Sequence, residues 1–136
     1  MIQDLVKLIK DQNDKLKELL LLLQTQYEMI AKKDLFGLEG LVDKINDCSK
    51  EIAKVELERR NMMGDINLTK FVQQSNNEEL SKHYEEIIQT TNDIKVRKET
   101  NEIMLKQKMS FNAKMLAILN PSRDIKTYNS YGNIRK

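Results

Sequence analysis

The chain has no tryptophan, one cysteine, one proline and four glycines in 136 residues, and aromatic side chains make up 5% of it. So few glycines and prolines exclude a sandwich, a barrel or a series of tight hairpins. The shortage of aromatic bulk argues against a rounded core. A long, thin helical bundle needs only one apolar stripe per helix, and a 40% hydrophobic content supplies that. Cys48, being alone, forms no internal disulfide. It reads as a buried structural thiol in a reducing compartment, and the expected location is the cytoplasm. The leucine run in "ELLLLLQ" falls far short of the ~20 apolar residues that cross a bilayer. Asp4 and Lys7 break up "MIQDLVKLIK", which therefore does not read as a signal peptide.

Charge and chemistry are equally sparse in signals. The net charge of +2 conceals a split. From Pro121 onward, Arg123, Lys126, Arg135 and Lys136 stand against Asp124, a net +3, so the rest of the chain is close to −1. That leaves no basic face broad enough for a phosphate backbone, and nucleic acid is not an expected partner. The one histidine, His83, sits in a charged stretch beside Tyr84 and Glu85 and reads as a surface residue. No Ser/His/Asp or Cys/His set can be assembled, metal-ligand spacings and phosphate-cradling glycine loops are missing, and neither an enzyme nor a cofactor is expected.

What the sequence does have is helical periodicity. Ile2, Val6, Ile9, Asn13, Leu16, Leu20, Leu23, Tyr27 and Ile30 alternate gaps of four and three, as along a coiled-coil seam, with Asn13 as a polar register-setting member. Leu19, Leu21 and Leu22 widen that face, as expected of a helix with two neighbours. Lys32, Lys33 and Asp34 interrupt it, and Asp34 is a plausible N-cap. Leu38, Leu41, Ile45, Cys48, Ile52 and Val55 carry a second helix to a stop at Gly64. Gly37 and Gly40 lie within it, marking either a close helix approach or weak helix. Thr69 is placed to cap a short turn holding Phe71 and Val72. "SNNEE" offers capping boxes from Ser75 to Glu78 and from Asn76 to Glu79. A third helix follows, with a seam of Leu80, Tyr84, Ile87, Thr91, Ile94, Lys98, Asn101, Leu105, Lys108, Asn112, Met115 and Leu119, and Pro121 closes it.

The predicted architecture is all-α: an elongated antiparallel three-helix bundle over residues 1–120, with helices at about 2–31, 35–63 and 78–119, and a flexible basic tail over 121–136. At 1.5 Å per residue the helices measure roughly 45, 43 and 63 Å, so the third outruns its partners by about 20 Å. In that overhang Met104, Phe111, Met115 and Ile118 lie together, with Leu105, Met109, Leu116 and Leu119 on the adjoining quadrant. Jointly they cover roughly 180°, where one bundle contact needs about 100°. A methionine-rich apolar face suits an amphipathic partner helix. It equally suits burial by the chain itself or by a second copy, and self-association stays open. The polar tail carries Tyr128 and Tyr131, two rings able to anchor it on a partner.

The stretch "TNEIMLKQKMSFNAKMLAILNP", through Asn101, Leu105, Ser110, Phe111, Met115, Leu119, Asn120 and Pro121, resembles the C-terminal helix of the FlgN-like flagellar export chaperones. The Tyr128–Gly132 spacing is similar to that family's tail, and "KKDLFGLEGLVDKI" to the opening of its second helix. The resemblance implies a cytoplasmic chaperone of type III export that binds the C-terminal amphipathic segment of hook–filament junction proteins. It would keep them from assembling early and deliver them to the cytoplasmic domain of the export gate. It places the client site on Met104, Leu105, Met109, Phe111, Met115, Leu116, Ile118 and Leu119, and gate docking on Tyr128 with Tyr131 beside it. The competing expectations are a self-associating structural coiled coil and a regulator of the export apparatus that carries no client.

Overall fold

A computed structural model of the chain describes residues 2–108. Four helices make up nearly all of it: α1 (Ile2–Ala31), α2 (Leu35–Met63), α3 (Leu68–Ser75) and α4 (Glu78–Lys108). No strand occurs among the described residues. The chain folds up, down and up. α1 and α4 run parallel, α2 lies antiparallel to both, and α3 is a short plug at one end. α2 and α4 each follow α1 along its length, and they share its middle and far clusters through side chains such as Leu41, Ile94, Leu38 and Leu105. α1 is therefore the spine, and its leucine-rich middle serves two neighbours at once.

Three core clusters lie in sequence along the bundle. At one end Leu5 and Ile9 of α1 meet Met63, Val72 and Leu80, with Phe71, Leu68 and Tyr84 packed around them. In the middle Leu16, Leu19 and Leu23 meet Leu41, Ile45 and Cys48 of α2 and Ile94 of α4. At the far end Ile30, Leu38 and Leu105 close the core, with Met29, Leu35, Val42 and Met104 against them. Cys48 is buried, and its thiol donates to the Lys15 carbonyl at 3.5 Å. Burial pushes the thiol pKa up, so it is a packing residue and not a reactive one.

The turns follow from local chemistry. α1 ends with Lys33 in the left-handed region (φ 58°). The Lys33 amide donates to the Ile30 carbonyl and the Asp34 amide to the Met29 carbonyl, the paired bonds that finish many helices. The Asp34 carboxylate then caps α2, accepting from the Gly37 amide at 2.9 Å. α2 stops at Gly64, whose φ of 61° favours a residue without Cβ.

The connection after Gly64 differs from the sequence expectation. It contains a helix of its own, and Asn67 caps it by accepting from the Lys70 amide at 3.0 Å. Thr69 is not the cap. Its hydroxyl instead shares a 2.6 Å hydrogen bond with the Tyr84 hydroxyl, tying α3 to α4. Neither expected capping box forms. Asn76 adopts the left-handed conformation that ends α3, which leaves Asn77 over the first turn of α4. The Asn77 side chain accepts from the Leu80 amide at 2.9 Å, and Ser75 accepts from the Asn77 amide.

Gly37 and Gly40 play unlike parts. A Cβ on Gly37 would lie 2.5 Å from the Asp34 carboxylate and 2.9 Å from the Met29 sulfur, whereas one on Gly40 meets nothing within 4 Å. Gly40 therefore mediates no close helix approach. Gly40→Ala should raise stability by about 0.5–1 kcal/mol, as Ala does for Gly in a helix interior. Gly37→Ala should lower it by about 1 kcal/mol by displacing the capping carboxylate. Thermal melts of the two variants, followed by circular dichroism, should shift in opposite directions.

Candidate functional site

The contact between α1 and α4 is the unusual part of the core, because much of it is polar. Between Ile94 and Leu105, the only side chain that α4 buries is Asn101. It is fully buried (0% exposed), and its amide donates to the Gln26 side-chain oxygen and to the Leu23 carbonyl, each at 2.9 Å. Gln26 is buried with it. Toward the other end, buried Asn13 donates to Glu86 at 2.6 Å, and Lys17 reaches the same carboxylate at 3.1 Å. On the α2 side Lys15 pairs with Glu51 at 3.2 Å. Its pKa is raised, chiefly through the hydrogen bond to that carboxylate. α1 is thus fastened by polar bonds to both neighbours over residues 13–17.

The buried residues differ from the expected seam by one position in several places. Leu5 and Gln26 are buried where Val6 and Tyr27 were expected, and Thr90 where Thr91 was, while Leu19 is buried as part of the widened face. Tyr27 lies instead at the edge of the contact, with the Arg97 guanidinium 4.8 Å above its ring. Leu22 packs against the middle cluster, whereas Leu21 points away from it and is 64% exposed. Lys98, expected on the seam, is exposed. His83 is half-buried, not a freely solvated surface residue, and its Nδ1 has no hydrogen-bond partner among the described residues.

Of the residues expected to hold a partner helix, two fall within the described structure. Leu105 is 1% exposed, sealed against Ile30 and Leu38, so in this state the bundle itself occupies it. Met104 is only partly buried against the same cluster. Met109, Phe111, Met115, Leu116, Ile118 and Leu119, and the tail residues Tyr128 and Tyr131, lie outside the described residues. The register nevertheless shows where the bundle gives out. Asn101 pairs with a residue 75 positions earlier. At that offset Leu105 stands level with Ile30, next to the turn where α1 ends. α1 ends at Ala31 and α2 begins at Leu35, so the turn between them stands at this layer.

One further observation decides the family. The family model described as "FlgN protein" matches residues 1–136, the whole chain. The chain belongs to the FlgN family. No curated protein and no solved structure matches it. FlgN proteins are chaperones of flagellar protein export, and theirs is not an enzyme family. The described residues form an all-helical bundle, and among them no group of three His, Cys, Asp or Glu side chains could hold a metal. No described helix is long and apolar enough to cross a membrane.

Sequence reasoning did not single out Gln26 or Glu86. The signal for Gln26 was available: a polar residue one position from the seam, in phase with Asn101 across a parallel pair. Glu86 stands in the same charged stretch as His83 and Glu85, where residue type alone does not set it apart. The Asn13 amide, and after it the Lys17 ammonium, hold the Glu86 carboxyl below its usual value. Because the folded value is the lower one, the stabilisation is complete above the unfolded value and is lost as pH falls through the folded one. The melting temperature of wild type should therefore exceed that of Glu86→Gln by most near neutral pH. The gap should close progressively below about pH 4. A gap that stays constant or widens in acid would contradict this account of the contact.

Proposed function

We propose that this FlgN protein acts in the cytoplasm as the export chaperone of hook–filament junction proteins, holding the C-terminal amphipathic segment of its client against the apolar residues at and beyond the end of its bundle. The observation that carries this reading is the end of the core at the Ile30–Leu38–Leu105 layer, in a chain whose apolar residues continue well past it. Met104, partly uncovered at that layer, begins the surface. Met109, Phe111, Met115, Leu116, Ile118 and Leu119 continue it, and Leu105 joins once it is released from the core.

The mechanism is substitution of one apolar helix for another. A free junction-protein segment seeks a copy of itself and assembles early. Seated on the chaperone, that surface leaves water. Four large side chains such as Met104, Phe111, Met115 and Ile118 each contribute roughly 1.5–3 kcal/mol on burial. Association and ordering costs reduce the net to micromolar or nanomolar affinity. The basic tail, through Tyr128 with Tyr131 beside it, docks on the cytoplasmic domain of the export gate, so that carrying and delivery use different segments. Full-length family membership and the tail's composition support this division.

Phe111→Asp should abolish binding of junction proteins in a titration while leaving the helical circular dichroism signal unchanged. Loss of helix in that variant would make Phe111 a core residue and remove the reading. Deleting residues 122–136 should leave client affinity within about twofold and impair capture by the isolated gate domain. Client affinity lost with the tail would refute the division of labour.

A further inference from the structure

The α1–α2 turn carries an uncovered ring and two unpaired cations at one end of the bundle. Phe36, in the first turn of α2, is 91% exposed, more than any other large apolar side chain described. Helical side chains lean toward the N-terminus of their helix, so Phe36 leans off this end. Lys32 and Lys33 are exposed just before it, and none of the ion pairs described takes either of them. Asp34 lies between, but its carboxylate is engaged by the Gly37 amide of its own helix at 2.9 Å. The turn stands level with Leu105, which packs on Ile30 just before it and on Leu38 just after it. α4 meets α1 by the face of Asn101. Counted on at 3.6 residues per turn, that face reaches Met115 and Leu119 about four and five turns later, with Phe111 and Ile118 on its flank.

We infer that the α1–α2 turn is the floor of the client site: the client helix stands on it carboxyl end first, its last apolar side chain against Phe36 and its terminal carboxylate beside Lys32 and Lys33. A helix seated on the face of Met115 and Leu119 takes up the line of α1 and meets the turn end-on. This deepens the client-binding reading and rests on it, with the phase of α4 carried through those residues. Charge sets the direction in which the client stands. The carbonyl end of a helix is the negative end of its dipole, and a free terminal carboxylate adds a full charge. Two lysines without acidic partners, beside the amino end of α2, attract that end and repel an amino end. A client segment at the C-terminus of its protein supplies such a carboxylate, whereas an internal helix of the same apolar pattern does not.

The test is titration of the full-length protein with two synthetic peptides of a junction protein's C-terminal segment, one ending in the free carboxylate and one in the amide. Wild type should bind the acid about three- to fivefold more tightly than the amide at low salt. The preference should vanish near about 1 M salt, where charges are screened within about 3 Å. Lys32→Gln/Lys33→Gln should abolish the preference by weakening the acid alone. Phe36→Ser should weaken both peptides about tenfold. All three side chains are exposed, so the melting temperatures of these variants should stay close to that of wild type. A wild type that binds both peptides equally would overturn the carboxylate contact, and a preference that survives the double lysine change would remove it from the turn. Wild-type affinity in Phe36→Ser would overturn the floor. Phe111→Asp separates the two claims. Binding lost in that variant but untouched by the turn variants leaves the client site standing without this floor. Binding retained in Phe111→Asp removes the client-binding reading and the floor with it.

Discussion

The parallel seam between α1 and α4 is the constraint on which the rest of the molecule depends. α2 reaches α1 through a three-residue turn, so its placement is local and follows from Lys33 and Asp34. α4 has no such tether. It arrives after α3 and must find its register along a spine already committed to α2. Apolar contacts repeat every heptad and cannot choose among registers. The buried amides can, since Asn13 meets Glu86, and Asn101 meets Gln26, at one level each. Register in turn decides which α4 residue ends the core. With Asn101 opposite Gln26, that residue is Leu105.

The proposed client site follows from where the described core stops. A chaperone for an amphipathic helix needs greasy surface that its own fold leaves uncovered, yet that surface must not drive self-association. Among the described residues, the turn between α1 and α2 stands at the Leu105 layer. Asn101 ties the adjoining turn of α4 to Leu23 and Gln26 of α1.

Much of the fold was legible in the sequence because helical periodicity and end signals are local. Asp34 and Gly64 announced themselves as cap and stop by residue type alone. The connection was harder to read. Its caps depend on which of three consecutive residues, Ser75, Asn76 and Asn77, takes the left-handed conformation, and composition does not decide that. The seam was read one position off at Leu5 and Gln26 because an a/d rule assumes one partner, and α1 has two. Its buried face is wider than the rule allows, and both edges count. Gln26 was hidden for a second reason: a glutamine enters a core only when another chain segment supplies an amide, here Asn101 from 75 residues away. Leu105 was read as partner-facing surface on grounds of circumference, and the fold closes over it because Ile30 and Leu38 stand at its level.

The register can be measured directly. Leu21, Gln89, Val96 and Ile103 are all exposed, so labels at these sites leave the core intact. In a Cys48→Ser background, paired spin labels at 21 with 89, 96 or 103 give three distances by electron–electron resonance. Val96 stands 75 residues from Leu21, the same offset as Asn101 from Gln26, and the other two sites are one heptad, about 10 Å of helix, to either side. The account predicts that the 21–96 distance is the shortest of the three. A shorter distance for 21–89 or 21–103 would put α4 in another register, take Leu105 out of the last layer, and contradict the account at its base.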